Sequence, residues 1–232
     1  TINYYFVNVE HEHMKKEILP KWDLTDFYPS HDSKELSDDF KELGSRVSSF
    51  VKMYRGKINI IPPGKIESVI SKYEDIEEII LKIKSFIYLF YCTDQLNQNK
   101  SSFYQKTQER LTVIESELLF FTLELNKLNE KYVSKLKSCK YEYWIKVQRM
   151  SKKYQKNESI EKLLLDKSIT SSNSWMRLFD ETMARLKFNV SGKKLNESEV
   201  LNLMQSSKNK ERKNAAQAFG ETLKENSHLF SL

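Results

Sequence analysis

The sequence predicts an all-α protein, a bundle of long antiparallel helices with one small β-hairpin near residues 186–195. Three observations favour this class. Only five glycines and four prolines occur in 232 residues, so the residues that tight turns between strands require are scarce. Apolar residues recur three and four positions apart over long stretches, as in helices that bury one side. Apolar residues make up 39% of the chain, which is enough for a core.

The first predicted helix starts near Asp32, because Glu35 follows three residues later with the spacing of a capping box. Its apolar positions keep a helical period from Leu36 to Tyr54. Gly56 stands where such a helix would end, since glycine readily takes the left-handed conformation that follows a helix.

Two long helices are predicted next. The Pro-Pro-Gly segment at residues 62–64 interrupts the chain, because proline removes a backbone donor and disfavours a helical predecessor. A helix then restarts, and its apolar positions from Ile66 to Phe90 cover a broad side, which indicates burial against several neighbours. A third helix is expected from about Ser101 to Asn129. Its middle, residues 118–121, is apolar nearly all round, so this helix should lie at the centre.

The following region is predicted from weaker patterns. A long helix is expected from Lys131 to Lys156, with these apolar positions: Val133, Leu136, Tyr143, Trp144 and Val147. Ser159 is the expected cap of a short helix from about Ile160 to Asp166. A polar loop is expected from Ser168 to Ser174.

The last predicted elements are a helix from Trp175 to Leu186, a hairpin over residues 188–195, and two helices at about 197–206 and 208–230. Ser191-Gly192 is the expected turn of the hairpin. We divide the chain into an N-terminal arm at residues 1–20, with a weak strand pattern at residues 4–7, a helical domain at 21–186, and a hairpin with helices at 187–232.

Two runs of residues carry a family resemblance. The first is Trp22-Asp23-Leu24-Thr25-Asp26-Phe27-Tyr28-Pro29-Ser30, followed by Asp32-Ser33 and by Tyr54-Arg55-Gly56-Lys57. The second is Lys167-Ser168-Ile169-Thr170, followed by Ser174-Trp175-Met176-Arg177-Leu178-Phe179-Asp180-Glu181. Together they resemble the opening of the oligoendopeptidase F family of zinc metallopeptidases and the segment before its catalytic half. One departure is Ile169-Thr170-Ser171, where the family usually has a Thr-Gly pair.

The resemblance covers the chain from about residue 20 to its end, and it implies the helical N-terminal part of a larger enzyme. That part would roof a deep channel over the zinc and admit short peptides, while the zinc polarises the scissile carbonyl and activates water, with a glutamate as general base. The family's His-Glu-x-x-His motif does not occur in these 232 residues. The chain alone is therefore expected to bind no zinc, to carry no catalytic or metal-ligating residue and to be inactive, with the catalytic domain beyond residue 232. The alternative is a non-enzymatic helical module that binds a partner protein.

Composition narrows the partners and the compartment. The net charge is +6, but acidic residues are interleaved with the lysines throughout, which favours a solvated helical surface over the alternative, a nucleic-acid interface. No apolar run approaches the length of a membrane span, and the start lacks the pattern of a secretory signal, so we expect a cytoplasmic protein with no membrane partner. Cys92 and Cys139 are too few for a disulfide framework or a zinc set, and we expect both thiols to be buried or idle.

Two groups near the start of the chain are candidate sites. His11 and His13, with Glu12 between them, do not close a tetrahedral metal site, so a surface arm is the favoured interpretation. A second group consists of the aromatic residues Trp22, Phe27 and Tyr28. These rings either stack on a ligand or, as we expect, anchor the N-terminal loop on a helix pair.

Three further candidates lie near the end. Ser168 to Ser174 either cradle an anion at the next helix or, as we expect, cap that helix. Arg177 and Asp180, three residues apart, either form a local ion pair, as expected, or orient substrate or the catalytic half. Leu229, Phe230 and Leu232 are expected to form an exposed apolar end that self-associates or is poorly ordered.

Overall fold

The computed structural model describes residues 22–137 and 139–231, and its largest part is a bundle of three helices. These are α1 (Lys34–Tyr54), α2 (Ile66–Cys92) and α3 (Gln98–Lys127). Phe50, near the end of α1, lies 6.1 Å from Tyr73, near the start of α2, measured between ring centroids. Tyr73 in turn lies 4.7 Å from Phe121, near the end of α3. Because α2 runs antiparallel to both neighbours, the predicted helical bundle is confirmed.

The start of α1 differs from the prediction by one residue. Ser33, rather than Asp32, is the N-cap, and its hydroxyl accepts a hydrogen bond from the backbone N–H of Leu36 at 3.3 Å. The Asp32 carboxylate instead accepts from the Ser30 hydroxyl at 2.7 Å. The apolar side of the helix is as predicted, since these residues are buried: Leu36, Phe40, Leu43, Val47 and Phe50.

Helices α2 and α3 supply most of the core. A short 3₁₀ helix, Pro63–Lys65, leads into α2, as the proline segment predicts. Asn97 caps α3 by accepting from the N–H groups of Asn99 and Lys100, so α3 starts before the predicted Ser101. Its middle is fully enclosed, because Phe120 and Phe121 are at most 1% exposed. The predicted central position of this helix is therefore confirmed.

The helix predicted from Lys131 to Lys156 is wrong. The chain there forms α4 (Glu130–Val133), a 3₁₀ turn at Ser134–Leu136, α5 (Glu142–Met150) and a second 3₁₀ turn at Lys152–Tyr154. Tyr141 and Ile145 are the buried residues around α5, whereas Tyr143 is 77% exposed. The break has a tertiary cause: α5 returns so that the guanidinium of Arg149 can donate to the Leu125, Asn126 and Leu128 carbonyls, which end α3.

The remainder begins with two helices, α6 (Glu158–Thr170) and α7 (Ser172–Arg185). The predicted hairpin follows as β1 (Phe188–Val190) and β2 (Lys193–Leu195), which pair antiparallel with Phe188 opposite Leu195. Its turn, Ser191-Gly192, has φ values of 52° and 86°, the positive pair that a two-residue hairpin turn requires. The helices α8 (Glu197–Leu203), α9 (Asn209–Glu225) and α10 (Ser227–Phe230) complete it, so the predicted last helix is split at Asn226.

This last part has a small core of its own. The buried members are Phe188, Val190, Val200, Ala215 and Ala218. Phe188 stacks on Phe219 of α9 with ring centroids 5.0 Å apart, which fixes the hairpin on that helix. The hairpin therefore closes a second hydrophobic cluster, separate from the core of the three-helix bundle. Within the described residues no helix is long and apolar enough to cross a membrane.

Candidate functional site

Helices α6 and α7 carry the second run of the family resemblance, and they meet at a single residue, Ser171. Its backbone, at φ −111° and ψ −103°, leaves the helical region and separates the two helices. The polar loop predicted at residues 168–174 is therefore wrong, because helix continues on both sides of Ser171. The cap of α6 also differs: Asn157, not Ser159, accepts from the N–H of Ile160 at 3.0 Å.

The serines at this junction form hydrogen bonds with the preceding helix, α6. The hydroxyls of Ser168, Ser171 and Ser174 donate to the carbonyls of Leu165, Lys167 and Ile169. No side chain caps the start of α7. The prediction that these residues cap the following helix is therefore wrong, and each of the three hydroxyls already donates to a carbonyl rather than to an anion.

The apolar residues of α6 and α7 are unusually exposed. Six of them are about half exposed or more, and we call them the α6–α7 apolar group: Leu163, Leu164, Trp175, Met176, Leu178 and Phe179. No residue of α6 is buried, and Met183 alone is buried in α7. Single exposed apolar residues are ordinary on a protein surface, but two consecutive helices with almost no buried side chain are not. These helices do not build a core with the part of the chain that the structure describes.

Polar contacts, by contrast, hold α6 on the bundle. The Arg55 guanidinium, just after α1, forms ion pairs with Glu117 of α3 at 3.4 Å and with Glu158 of α6. Lys162 of α6 forms a further pair with Glu117 at 3.4 Å. Arg55 belongs to the Tyr-Arg-Gly-Lys run that the resemblance singled out, so this part of the motif positions α6.

Gly56 in the same run makes the link between α1 and α3. Its φ of 76° is in the left-handed region, which turns the chain after α1. The Gly56 N–H donates to Glu124 at 2.7 Å, and the N–H of Ile58 donates to the other oxygen of that carboxylate at 3.3 Å. One carboxylate of α3 thus satisfies two backbone donors that the end of α1 leaves free.

On α7, Arg177 pairs with a different residue from the one predicted. Its Nε lies 3.9 Å from the Glu181 carboxylate, and its guanidinium donates to the Gln105 side chain of α3 at 2.7 Å. Ser101 also donates to Glu181, at 3.2 Å. The predicted pair with Asp180 is therefore wrong, because Arg177 and Glu181 point toward α3. Together these side chains line a polar hollow of about 370 Å³ between α3 and α7.

Asp180 instead lies near the C-terminal end of α2. Burial raises the pKa of its carboxyl, and its charge in turn contributes to raising the pKa of nearby groups on α2. Burial, followed by Glu181 and Asp180, raises the pKa of Tyr91 to about 12. The Tyr91 hydroxyl is buried and has no hydrogen-bond partner in the described residues.

An apolar groove of about 580 Å³ lies where α7 meets the last helices. Phe179 of α7 and Phe230 of α10 line it, with ring centroids 5.8 Å apart in an edge-to-face arrangement. Phe230 is half-buried and Leu229 is 43% exposed, while Leu232 lies outside the described residues. Self-association through this end stays a prediction.

The predicted aromatic anchor is confirmed for Tyr28 and Phe27. Tyr28 is 1% exposed, lies edge-on to Phe86 of α2 at 5.1 Å, and donates its hydroxyl to Asp39 of α1 at 2.6 Å. Phe27 packs against the same core. Trp22 is different, since it is 78% exposed and anchors nothing.

The other predicted candidates contribute no assembled site. His11, His13 and the strand pattern at residues 4–7 lie outside the described residues. Cys92 and Cys139 are free thiols, and Cys92 is exposed rather than buried. Desolvation raises the pKa of the Cys92 thiol, which favours its protonated form. Over residues 22–137 and 139–231, no three His, Cys, Asp or Glu side chains are placed to hold a metal ion.

These features define a helical domain in which the α6–α7 apolar group is exposed and ion pairs join α6 to α1 and α3. Residues 124–188, which include all of that group, match the family model for the N-terminal region of M3 peptidases, described as oligopeptidase F. This part of the chain is therefore similar to the N-terminal region of oligopeptidase F, as predicted from the second sequence run, which lies within the match; the first run lies outside it.

Two further comparisons complete the picture. A search of curated proteins gives no match. Among solved structures, a crystal structure of a protein from Chlamydophila abortus, provisionally assigned as a peptidase, has 18% sequence identity and a TM-score of 0.48. The match covers 90% of the present chain and 37% of the other, so this chain spans little more than a third of that protein.

Proposed function

We propose that this chain is the N-terminal, channel-forming part of a zinc metallo-oligopeptidase that hydrolyses short peptides. The proposal rests mainly on one observation. The family match at residues 124–188 includes every member of the α6–α7 apolar group. In the proposal, a catalytic half beyond these residues covers that group. The protein would then belong to the hydrolases and work in the cytoplasm.

The support for this assignment is the contrast between how α6 is held and what it exposes. Arg55 and Lys162 fix α6 through charged contacts with Glu117 and Glu158, at the side that meets α1 and α3. Leu163 and Leu164 remain more than half exposed. Burial of apolar area is the main source of free energy in stable interfaces, so these side chains gain by being covered.

The chemistry itself is assigned to the catalytic half, because the His-Glu-x-x-His motif does not occur in these 232 residues. When bound there, zinc would polarise the scissile carbonyl and lower the pKa of its water. The residues of this chain would form walls that exclude folded proteins and admit short peptides. This division predicts that changes in α6 and α7 alter peptide turnover without touching the metal.

The test uses the whole product of the gene that encodes this chain. A fluorescence-quenched peptide of about ten residues is the substrate, a length chosen for a channel that excludes folded proteins. We expect hydrolysis that a zinc chelator abolishes and added zinc restores. The double variant Trp175→Ser, Met176→Ser should lower turnover at unchanged zinc content, because it weakens the contact with the catalytic half.

The matched control is Leu81→Ser, which changes a 57%-exposed apolar residue of α2 outside the α6–α7 apolar group. Its turnover should equal that of the parent protein. A gene product without the zinc motif and without chelator-sensitive hydrolysis would contradict the proposal. That outcome would favour the second candidate, a non-enzymatic helical module, because the exposed α6–α7 apolar group would then need another protein to cover it.

A further inference from the structure

A cavity of about 730 Å³ lies between the loop at residues 22–31 and the C-terminal end of α2. Its volume is within the range of sites for small molecules. The first run of the family resemblance forms one of its walls, and the proposed peptidase function assigns no role to it.

The loop that forms this wall is held in a fixed conformation. The Asp23 carboxylate accepts from the N–H of Thr25 at 3.0 Å and from its hydroxyl at 2.7 Å. The Leu24 carbonyl accepts from the N–H groups of Phe27 and Tyr28, at 3.0 and 3.3 Å. Trp22 therefore stands on a rigid loop at the rim, with 78% of its surface free for contact.

Flat rings make up the inner surface of the cavity. His31 stacks on Phe90 with centroids 5.2 Å apart and an interplanar angle of 17°. Phe86 stacks on Phe90 at 5.9 Å, also at 17°. Tyr28 closes the row, edge-on to Phe86 at 5.1 Å. Such a surface favours a planar aromatic group, because rings pack well in stacked and edge-to-face contacts.

One cation in the cavity lacks an anion. Lys100 Nζ lies 4.9 Å from the centroid of Phe90 and donates to the Thr93 hydroxyl at 2.5 Å. No ion pair joins Lys100 to any carboxylate of the described residues, including Asp94, which lines the same cavity. The Lys100 ammonium is thus oriented by a ring and a hydroxyl at the exposed side of the cavity and has no carboxylate partner among the described residues.

Lys82 of α2 makes the same kind of contact with an aromatic ring but also has a carboxylate partner. Its Nζ lies 4.3 Å from the centroid of the Tyr28 ring and forms an ion pair with Asp39 at 2.9 Å. Both lysines lie over an aromatic ring, but the carboxylate partner is present only for Lys82. The difference indicates what Lys100 would bind.

We propose that the cavity binds an aromatic carboxylate, with its ring against Trp22, beside the stacked His31 and Phe90 rings, and its carboxylate on the ammonium of Lys100. Charge-assisted hydrogen bonds of this kind are short and about twice as strong as neutral ones. Two sources share this chemistry: a free aromatic acid, and the C-terminal aromatic residue of a peptide.

Titration of the full chain, labelled with ¹⁵N, tests the proposal by NMR. The probes are N-acetyl-phenylalanine, its amide and N-acetyl-alanine. The amide lacks the charge of the carboxylate, and the alanine derivative lacks the ring. We expect saturable shifts at Trp22 and Thr93 with the first probe. The amide and the alanine derivative should each bind at least about tenfold more weakly, the loss expected for one charged hydrogen bond or one stacked ring.

Variants of Lys100 distinguish recognition of the ligand's charge from nonspecific binding. Lys100→Met should abolish the preference for the acid over the amide, while Lys100→Arg should keep it. Lys106→Met, on the exposed side of the same helix, is the matched control and should bind as the parent does. Equal melting temperatures confirm that each variant is folded, and Lys100→Gln, which also removes the charge, replaces Lys100→Met if the latter does not fold.

Peptides distinguish the two sources. Tighter binding of Ala-Ala-Phe than of N-acetyl-phenylalanine identifies a peptide C-terminus, and the reverse order identifies a free acid. Absence of saturation at millimolar N-acetyl-phenylalanine would overturn the proposal, and so would a preference for the acid that survives Lys100→Met.

Discussion

The three-helix bundle and the α6–α7 pair use apolar residues in opposite ways. In α2, nine residues are buried, from Ile66 to Tyr91, and α3 encloses Phe120 and Phe121 completely. In α6 no residue is buried, although Leu163 and Leu164 are present. The same residue types therefore form a core in one region and a surface in the other. The comparison teaches that helical periodicity marks a side to be covered but does not identify what covers it.

The two regions also differ in what fixes them. Ring contacts and buried side chains join α1, α2 and α3, whereas α6 and α7 bury almost no side chain and add polar contacts through Arg55, Lys162 and Arg177. Exposed ion pairs contribute about 0.2–1 kcal/mol each. These contacts leave the α6–α7 apolar group uncovered by the described residues.

The largest expected effect on the free energy of unfolding concerns the core of the three-helix bundle. Phe121→Ala removes a fully buried ring that contacts Phe50 and Tyr73, and it should lower the free energy of unfolding by about 3–5 kcal/mol. Trp175→Ala removes a larger ring that is 59% exposed, and it should change that free energy by less than about 0.5 kcal/mol. Urea unfolding measures both. A Trp175→Ala loss close to that of Phe121→Ala would show that α7 belongs to the core.

A second prediction concerns the polar link between α1 and α3. Glu124→Ala leaves the N–H groups of Gly56 and Ile58 without their acceptor, so unfolding should become easier by about 1–3 kcal/mol. Glu78→Ala, at an exposed position of α2, is the control and should have almost no effect in the same urea titration. Equal losses for both variants would mean that water replaces the carboxylate at no cost.

A third prediction concerns how the stability that Asp39 contributes depends on pH. Burial opposes ionisation of Asp39, but hydrogen bonds from Tyr28 and Lys82 outweigh it and hold the pKa of this carboxyl below its usual value. The folded state therefore favours the carboxylate, and the resulting stability is present above the unfolded pKa and lost as pH falls through the folded one. Asp39→Asn should cost about 1–3 kcal/mol at neutral pH, and the cost should shrink below about pH 4.

Glu181→Gln provides the counterpart in the α6–α7 pair. Its partner Arg177 lies 3.9 Å away and both side chains are 28% exposed, so a loss of less than about 1 kcal/mol is expected. Unfolding curves at pH 3 and pH 7 measure both variants. A cost of Asp39→Asn that is independent of pH would refute the assigned role of the charge.

A small effect on stability is expected at the C-terminal end. Leu229→Ser with Phe230→Ser removes the ring that contacts Phe179, and because both residues are partly exposed the free energy of unfolding should fall by no more than about 1 kcal/mol. Self-association should nevertheless decrease, which sedimentation velocity at high concentration measures. If the parent chain remains monomeric at high concentration, the hypothesis of self-association through the C-terminal end is wrong.

Local sequence signals predicted much of the fold. The helical period of α1, α2 and α3, the proline break before α2 and the Ser191-Gly192 turn each have a nearby physical cause, and all are present in the structure. The caps were harder. Ser33 and Asn157 each stand beside other residues able to cap; for α1 the buried side of the helix fixes where the first turn lies, whereas α6 has no buried residue that could do so.

For the candidate site, the sequence located the segment but not its contacts. The run from Ser174 to Glu181 marked the region that the family match includes. Its polar partners come from residues far away in sequence, such as Gln105 for Arg177 and Glu117 for Lys162. No pattern within α6 or α7 contains that information, so the expected Arg177–Asp180 pair was the best local choice and was wrong.

The sequence by itself therefore determined the all-α class, the central helices, the hairpin and the family resemblance, because periodicity, turn chemistry and short motifs are properties of neighbouring residues. Tertiary structure alone decided that the chain breaks between α4 and α5, because Arg149 satisfies carbonyls at the end of α3 that lie more than twenty residues earlier. It also decided which apolar residues are covered. Burial depends on what another element places opposite a side chain, and that is set by packing over the whole molecule.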